Sequence, residues 1–342
     1  MRALTQRLSL SVLVPILILI GSAISGMVVR TRPPAAATAT RMSVLDVGQG
    51  DAMLLDGPGD AEILIDGGPT PDLARALSRL LGDDRTVDLI VLTHPHADHL
   101  VGLVPVLERY DVGRLLMTGV VHTTEEYDRF LEAVRDRKIP TTIAIAGQTY
   151  DVGPTRLEVL HPFEDLSGKR VDNLNSSSIV LMATASGVCS PPPQDVLPLL
   201  QRGSERGLRV QTRRGELEGV CNQSENTRIL LTGDAEMDVE QALLERYCGD
   251  RSSPAVPCER LRADVLKVPH HGSQDSSTSA FLTAVKPQHA IMSVGRRNDY
   301  GHPHRRALKR LERVGARIWR TDRDGDITVT FGEEGLSVSS ER

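Results

Sequence analysis

The chain has 342 residues, of which 40% are apolar, 25% charged and only 3% aromatic, and it carries a net charge of −5. This is an ordinary globular composition, with length for two domains at ~150 residues each, and it excludes a disordered chain, a collagen-like chain and a bundle of membrane helices. Taken as totals, the acidic balance and scarce aromatics also speak against a nucleic-acid partner.

In chain order, Arg2 and Arg7 precede an uncharged run from Leu8 to Val29, closed by Arg30 and Arg32. At 1.5 Å per residue this run reaches about 33 Å, enough to cross a bilayer core of ~30 Å. It predicts a single N-terminal membrane anchor. Its densest part, Leu10 to Ile20, followed by Ala23-Ile24-Ser25, also suits a signal peptide that is cut away and leaves a secreted protein. Either way the body of the chain is expected outside the cytoplasm. Residues 1–41 are then anchor or signal plus linker, 42–335 the folded body and 336–342 a tail.

The body alternates strands and helices. Met42–Val47, Ala52–Leu55 and Ile63–Ile65 read as strands between Gly and Asp turns, and Pro71–Leu81 as a helix. Leu89–Leu92 is a short apolar strand, followed by predicted helices at His99–Arg109 and Thr123–Lys138. Strands are expected at Leu157–Leu160, Ile179–Ala183, Ile229–Thr232, Val265–Val268, Ala290–Val294 and Ile327–Phe331, with helices at Glu236–Tyr247, Ser279–Val285 and Pro303–Val314. Residues 187–226 break this rhythm with successive prolines and little periodicity, as a surface insertion does. Cys189 and Cys221 bracket that stretch, and Cys248 and Cys258 a shorter one. In an exported chain these spacings predict two local disulfides.

Directly after the strand Leu89–Leu92 comes Thr93-His94-Pro95-His96-Ala97-Asp98-His99, three histidines and an aspartate within six residues. A strand-to-helix turn can aim such ligand types into one cavity. Further ligand types follow other apolar strands: Asp66 in Leu64-Ile65-Asp66-Gly67-Gly68, Asp234 in Leu231-Thr232-Gly233-Asp234, and His270-His271-Gly272-Ser273 after Val268. Strand ends are where α/β proteins commonly place their sites.

The set Asp66, His94-x-His96-x-Asp98-His99, Asp234 and His271 resembles the metallo-β-lactamase superfamily. Several stretches are similar, more narrowly, to the metallo-β-lactamase-like domain of the ComEC competence proteins: Leu45-Asp46-Val47-Gly48-Gln49-Gly50-Asp51, Asn175-Ser176-Ser177-Ser178, Val268-Pro269-His270-His271-Gly272-Ser273, and Asn298-Asp299-Tyr300-Gly301-His302-Pro303. The resemblance implies an α/β fold, a four-layered αββα sandwich, and two divalent metal ions. His94 and His96 would hold one ion, Asp98, His99 and His271 the other, with Asp234 bridging; His270 is a further candidate ligand. Asp66, Asp51 and Asn175 would support the ligands from behind. Most of the superfamily gives the first ion a third histidine, whereas the corresponding segment here reads Asn173-Leu174-Asn175-Ser176. With fewer nitrogens and more oxygen, manganese becomes as plausible as zinc.

Paired divalent ions acidify water and stabilise entering and leaving oxygens, so the reading is phosphodiester hydrolysis. Asp98 and Asp234 hold the ions, and His302 protonates the leaving oxygen or binds phosphate. Between residues 296 and 323 there are ten Lys or Arg against three Asp or Glu, a local +7. That strip suits a polyanion, with Ser273, Asn298, Tyr300, Arg305 and Arg306 as substrate contacts. The expected function is an exported metal-dependent nuclease or phosphodiesterase, working on DNA, RNA or a small phosphodiester, with a separate DNA-uptake channel as a candidate partner. Two alternatives are a hydrolase of a lactam, lactone or thioester, and a non-catalytic extracytoplasmic DNA- or protein-binding module with a degenerate metal site.

Overall fold

A computed structural model describes residues 39–185, 209–212, 215–218, 226–249, 258–332 and 335–342. In chain order the elements are β1 (Thr40–Val44), β2 (Met53–Gly57), β3 (Ala61–Ile65), α1 (Leu73–Leu81), β4 (Thr86–Val87), β5 (Leu89–Leu92), α2 (Ala97–Leu100), α3 (Leu103–Arg109), β6 (Asp111–Val112), β7 (Leu115–Met117), α4 (Glu125–Asp136), β8 (Thr141–Ile143), β9 (Thr149–Val152) and β10 (Thr155–His161). There follow β11 (Val180–Ala185), β12 (Arg209–Thr212), β13 (Gly215–Glu218), β14 (Thr227–Leu231), α5 (Met237–Cys248), β15 (Val265–Lys267), α6 (Ser279–Val285), β16 (His289–Met292), α7 (Arg305–Arg313), β17 (Arg317–Arg320), α8 (Thr321–Asp324), β18 (Ile327–Gly332) and β19 (Gly335–Ser340).

Two mixed sheets dominate, one ordered β19-β18-β1-β2-β3-β5-β7-β8 and the other β17-β16-β15-β14-β11-β10-β9. Because strand side chains alternate faces, each strand serves two cores. Met53, Leu55, Ile63, Ile65, Val91, Leu157, Val159, Leu181, Ile229, Val265 and Ile291 pack together between the sheets. The intervening Leu54, Leu64, Ile90 and Leu92 turn outward to meet Leu77 of α1, Leu107 of α3 and Phe130 of α4. On the far side, Leu230, Leu266 and Ala290 meet Leu243 of α5, Phe281 of α6 and Leu311 of α7. The result is the expected α/β four-layer sandwich, helices–sheet–sheet–helices.

Three expectations change. Residues 336–342 are not a tail: Leu336 to Ser340 lie in β19, antiparallel to β18. The alternation Leu336-Ser337-Val338 lets two apolar side chains pack on the inter-sheet core, the period-two signal of a strand. The helix expected over His99–Arg109 is two, α2 and α3, parted at Gly102. A Cβ there would come within 2.0 Å of the Gly67 carbonyl oxygen, so two backbones touch where a continuous helix would need more room. The insertion at 187–226 contains a short antiparallel pair, β12 with β13; the rest of it, with Cys189 and Cys221, lies outside the described residues. The other cysteine pair is formed, Cys248 to Cys258. The expected N-terminal anchor or signal also lies outside the described residues, among which no helix is long and apolar enough to cross a membrane.

Candidate metal centre

The parallel strands β3 and β5 of one sheet and β14, β15 and β16 of the other deliver Asp66, the segment 93–99, Asp234, His270-His271 and Ser293 from their carboxyl ends. Gly50 shapes the floor with a φ of +146° and no room for a Cβ, which would fall 2.2 Å from the Asp98 carbonyl oxygen. Glycine alone satisfies both conditions.

The geometry converges on Asp234, 2% exposed. Its Oδ1 stands 3.3 Å from His99 Nε2 and 3.6 Å from His271 Nε2, while His271 Nε2 is 3.4 Å from Asp98 Oδ2. Its Oδ2 stands 3.7 Å from His94 Nε2, which lies 2.9 Å from His96 Nδ1. Asp98, His99, Asp234 and His271 thus form one group of converging ligand atoms, and His94, His96 and Asp234 another. His99 Nε2, His271 Nε2 and Asp234 Oδ1 are buried without a hydrogen-bond partner. Leaving three such atoms unpaired is costly, and imidazole and carboxylate lone pairs facing one another are the donor set that divalent ions take. The residues present therefore fit two metal ions, with Asp234 common to both.

Supporting contacts fix which nitrogen faces inward. Asp66 Oδ2 is 2.7 Å from His99 Nδ1, and the same carboxylate accepts from the Thr93 amide at 2.8 Å and the Thr93 hydroxyl at 2.7 Å. His271 Nδ1 is 2.9 Å from the Ser293 carbonyl and 3.5 Å from Asp51 Oδ1. Both rings so present Nε2 to the centre. Burial alone would push His99 and His271 down, but Asp234 with Asp66 for the first, and Asp234 with Asp51 for the second, outweigh it and hold both above the usual imidazole range. Burial would likewise raise the Asp98 and Asp234 carboxyls, yet the facing imidazoles of His271 and His99 keep both below the carboxylate range. His94, fully buried beside His99, is held well below the imidazole range. These are the shifts of carboxylates and imidazoles sharing one dry, compact site.

The remaining expected residues divide. His270 is partly exposed and its Nε2 lies 3.8 Å from Asp234 Oδ2. Asn175 donates to Glu236 Oε1 at 2.9 Å, so it supports from behind through a residue that the sequence reading had not singled out. His302 stands beside the centre, its ring 5.4 Å from His270 and 6.3 Å from His271. Burial, then those two histidines, push it down to about 4, so at neutral pH it is an uncharged imidazole. Tyr300, 73% exposed, lies at the rim with its ring 5.8 Å from His302, and Arg305 and Arg306 are exposed at the start of α7. Asn298 is a correction, and Ser273 sits deeper than a rim contact would. Asn298 accepts from the His302 amide and donates to the Gly295 and His302 carbonyls, which uses its whole amide group inside the loop. Ser273 is buried, its hydroxyl accepting from the Asp275 amide. Both shape the loop, and the Asn298 amide is left with no free donor for a substrate.

Lys267 was also unread. It is wholly buried, with Nζ 2.7 Å from Asp51 Oδ2. A lysine inside the apolar run Val265-Leu266-Lys267-Val268 was the available signal, because a buried charge demands a partner.

This sandwich, with its ligands at the strand ends, defines a metallo-β-lactamase-fold protein, and residues 45–182 match the family model of the metallo-beta-lactamase superfamily. More particularly, the chain is ComEC-like. It is 25% identical over 317 residues to ComE operon protein 3 of Bacillus subtilis (strain 168), covering 87% of this chain and 34% of that protein. It is 26% identical over 308 residues to Recombination protein 2 of Haemophilus influenzae, covering 88% and 30%. The chain thus spans about a third of the length of these relatives. Among solved structures, the metallo-beta-lactamase fold protein YhfI from Bacillus subtilis aligns with a TM-score of 0.44 at 12% identity, over 82% of this chain and 95% of that one.

Proposed function

We propose that this chain is an exported, metal-dependent phosphodiesterase that cuts nucleic acid. The observation that carries the reading is the division of Asp234 between two groups of ligands, one oxygen toward each. His94, His96 and Asp234 would hold one ion, and Asp98, His99, His271 and Asp234 the other. All the donors are nitrogen or oxygen, which suits zinc or manganese. Two such ions acidify water and neutralise charge on the entering and leaving oxygens of a phosphodiester.

The protein's own groups do the rest. Asp66 and the Ser293 carbonyl hold the imidazoles of His99 and His271 in the orientation that binding needs, with Asp51 beside the second. His302, uncharged at neutral pH and on one side of the centre, donates a hydrogen bond to a phosphate oxygen; without the imidazolium proton it does not serve as the acid for the leaving oxygen. Arg305, Arg306 and Lys309 are exposed beyond that loop and attract the backbone of a polyanion. The relative named for recombination favours DNA as that polyanion, and a separate DNA-uptake channel is the partner expected with it. Export is supported by the Cys248–Cys258 disulfide, which suits an oxidising compartment, and by the apolar N-terminal run, read as an anchor or a cleaved signal.

The test is metal analysis of the purified chain together with cleavage of single- and double-stranded DNA under Mn²⁺, Mg²⁺ and Zn²⁺. Two bound ions and metal-dependent cleavage that His96→Ala abolishes are expected. Bound metal with hydrolysis of a lactam, lactone or thioester in place of DNA would replace this reading. DNA binding without turnover under any of the three ions would make the chain a binding module.

A further inference from the structure

His270 and His271 are consecutive, and both adopt left-handed backbone conformations, φ +48°, ψ 46° and φ +51°, ψ 24°. Side chains with a Cβ avoid this region, and such outliers persist where the surroundings enforce them. In a strand, neighbouring side chains point to opposite faces; this turn instead brings both rings to one carboxylate. His271 Nε2 approaches Asp234 Oδ1 at 3.6 Å, and His270 Nε2 approaches Asp234 Oδ2 at 3.8 Å. His99 stands on the Oδ1 side at 3.3 Å and His94 on the Oδ2 side at 3.7 Å. Each oxygen of Asp234 is therefore flanked by two imidazole Nε2 atoms.

The segment that lacks the expected histidine lies behind His270. Asn173 and Asn175 turn their amides onto Glu236, donating to Oε2 and Oε1 at 2.9 Å each. Glu236 Oε1 in turn lies 3.1 Å from His270 Nδ1. Glu236 thus stands on the Nδ1 side of the ring, opposite the Nε2 that approaches Asp234, where a carboxylate behind a ligand is placed to orient it.

We propose that His270 supplies the nitrogen missing from the His94–His96 ion, and that Glu236, gripped by Asn173 and Asn175, is its positioning residue. The two adjacent histidines are then divided between the two ions. This inference rests on the two-metal reading, and its test separates the two. The full chain, stripped of metal, is titrated with Mn²⁺ while calorimetry reads the stoichiometry and stepwise affinities and electron paramagnetic resonance reads spin coupling between ions. The parent protein binds two coupled ions. His270→Ala weakens one ion at least tenfold and replaces the coupled signal with an isolated one. Glu236→Gln weakens that same ion roughly tenfold, within the range for partners behind a ligand, with the metal-free melting temperature unchanged. A parent that binds no divalent ion overturns the metal reading itself. A parent with two ions, and variants that keep both at parental affinity, overturns only the assignment of His270. Should His270→Ala fail to fold, Glu236→Gln decides alone.

Discussion

Lys267 and Asp51 face each other 2.7 Å apart, and neither side chain is exposed to solvent. Removing one member of such a pair strands a charge in the interior, whereas removing both leaves two neutral groups. Lys267→Met should therefore destabilise the fold by about 3–5 kcal/mol, and Lys267→Met combined with Asp51→Asn by distinctly less. Urea denaturation of the two variants measures the difference, and equal losses would show that the charges are not coupled. Glu62 gives the opposite case, a buried carboxyl among carboxylates. Burial, then Asp84 and Asp88, push it from 4.5 up to about 8. The native state keeps this proton over a range in which the unfolded chain has lost it. Its contribution is thus full below about pH 4.5 and is lost as the pH rises through about 8. Glu62→Gln, which mimics the protonated form, should raise stability at pH 9 by roughly 2 kcal/mol and change little at pH 4. Melting curves at the two pH values test this; a gain of equal size at both would refute it.

At the scale of elements, the break between α2 and α3 sets the aim of the histidine motif. The His99 carbonyl accepts from the Gly67 amide at 2.6 Å, and the Gly102 amide donates to the Gly68 carbonyl at 3.1 Å, so the loop carrying Asp66 and the helices following the motif are bonded backbone to backbone. Gly102→Ala must push them apart. It should cost more than the ~1 kcal/mol of an ordinary glycine position and weaken the His99 ion through Asp66, measurable together as a lower melting temperature and a poorer metal affinity. The strands that carry ligands were readable because each is a short apolar run leading directly into ligand-type residues, as in Leu89–Leu92 before Thr93-His94. β6, β8 and β17 were not, since two to four residues hold too little periodicity to separate a strand from a loop. The main ligands were legible for a related reason: each follows a readable strand. Glu236 was hidden because it looks like an ordinary acidic residue at a helix start, and only the folded chain brings it to His270 and Asn175. Asn298 misled in the other direction. A polar residue in a site loop suggests contact with substrate, yet its amide is consumed by the loop's own backbone.

For the whole molecule, a net charge of −5 conceals a basic surface. Parts of the strip are engaged within the fold: Arg320 pairs with Asp322, and Arg310 donates to the Gln274 and Ser276 carbonyls. Lys309 and Arg313 are exposed on α7. Reversing both, Lys309→Glu with Arg313→Glu, should raise KM for DNA several-fold at low salt and flatten its salt dependence by roughly one power per lost phosphate contact. Turnover of a small chromogenic phosphodiester should be unaltered; a parallel loss on both substrates would place the damage in the centre instead. The sandwich is also closed by parts distant in sequence. β1 lies between β2 and β18, with Thr40 opposite Phe331, and Asp51 meets Lys267 across 216 positions. Such long-range pairings form late and slowly. A chain still emerging from the ribosome thus lacks the strand that locks β1 in place, and the first sheet completes only after Ser340 is free to dock. The first sheet therefore closes only on the arrival of the last strands of the chain.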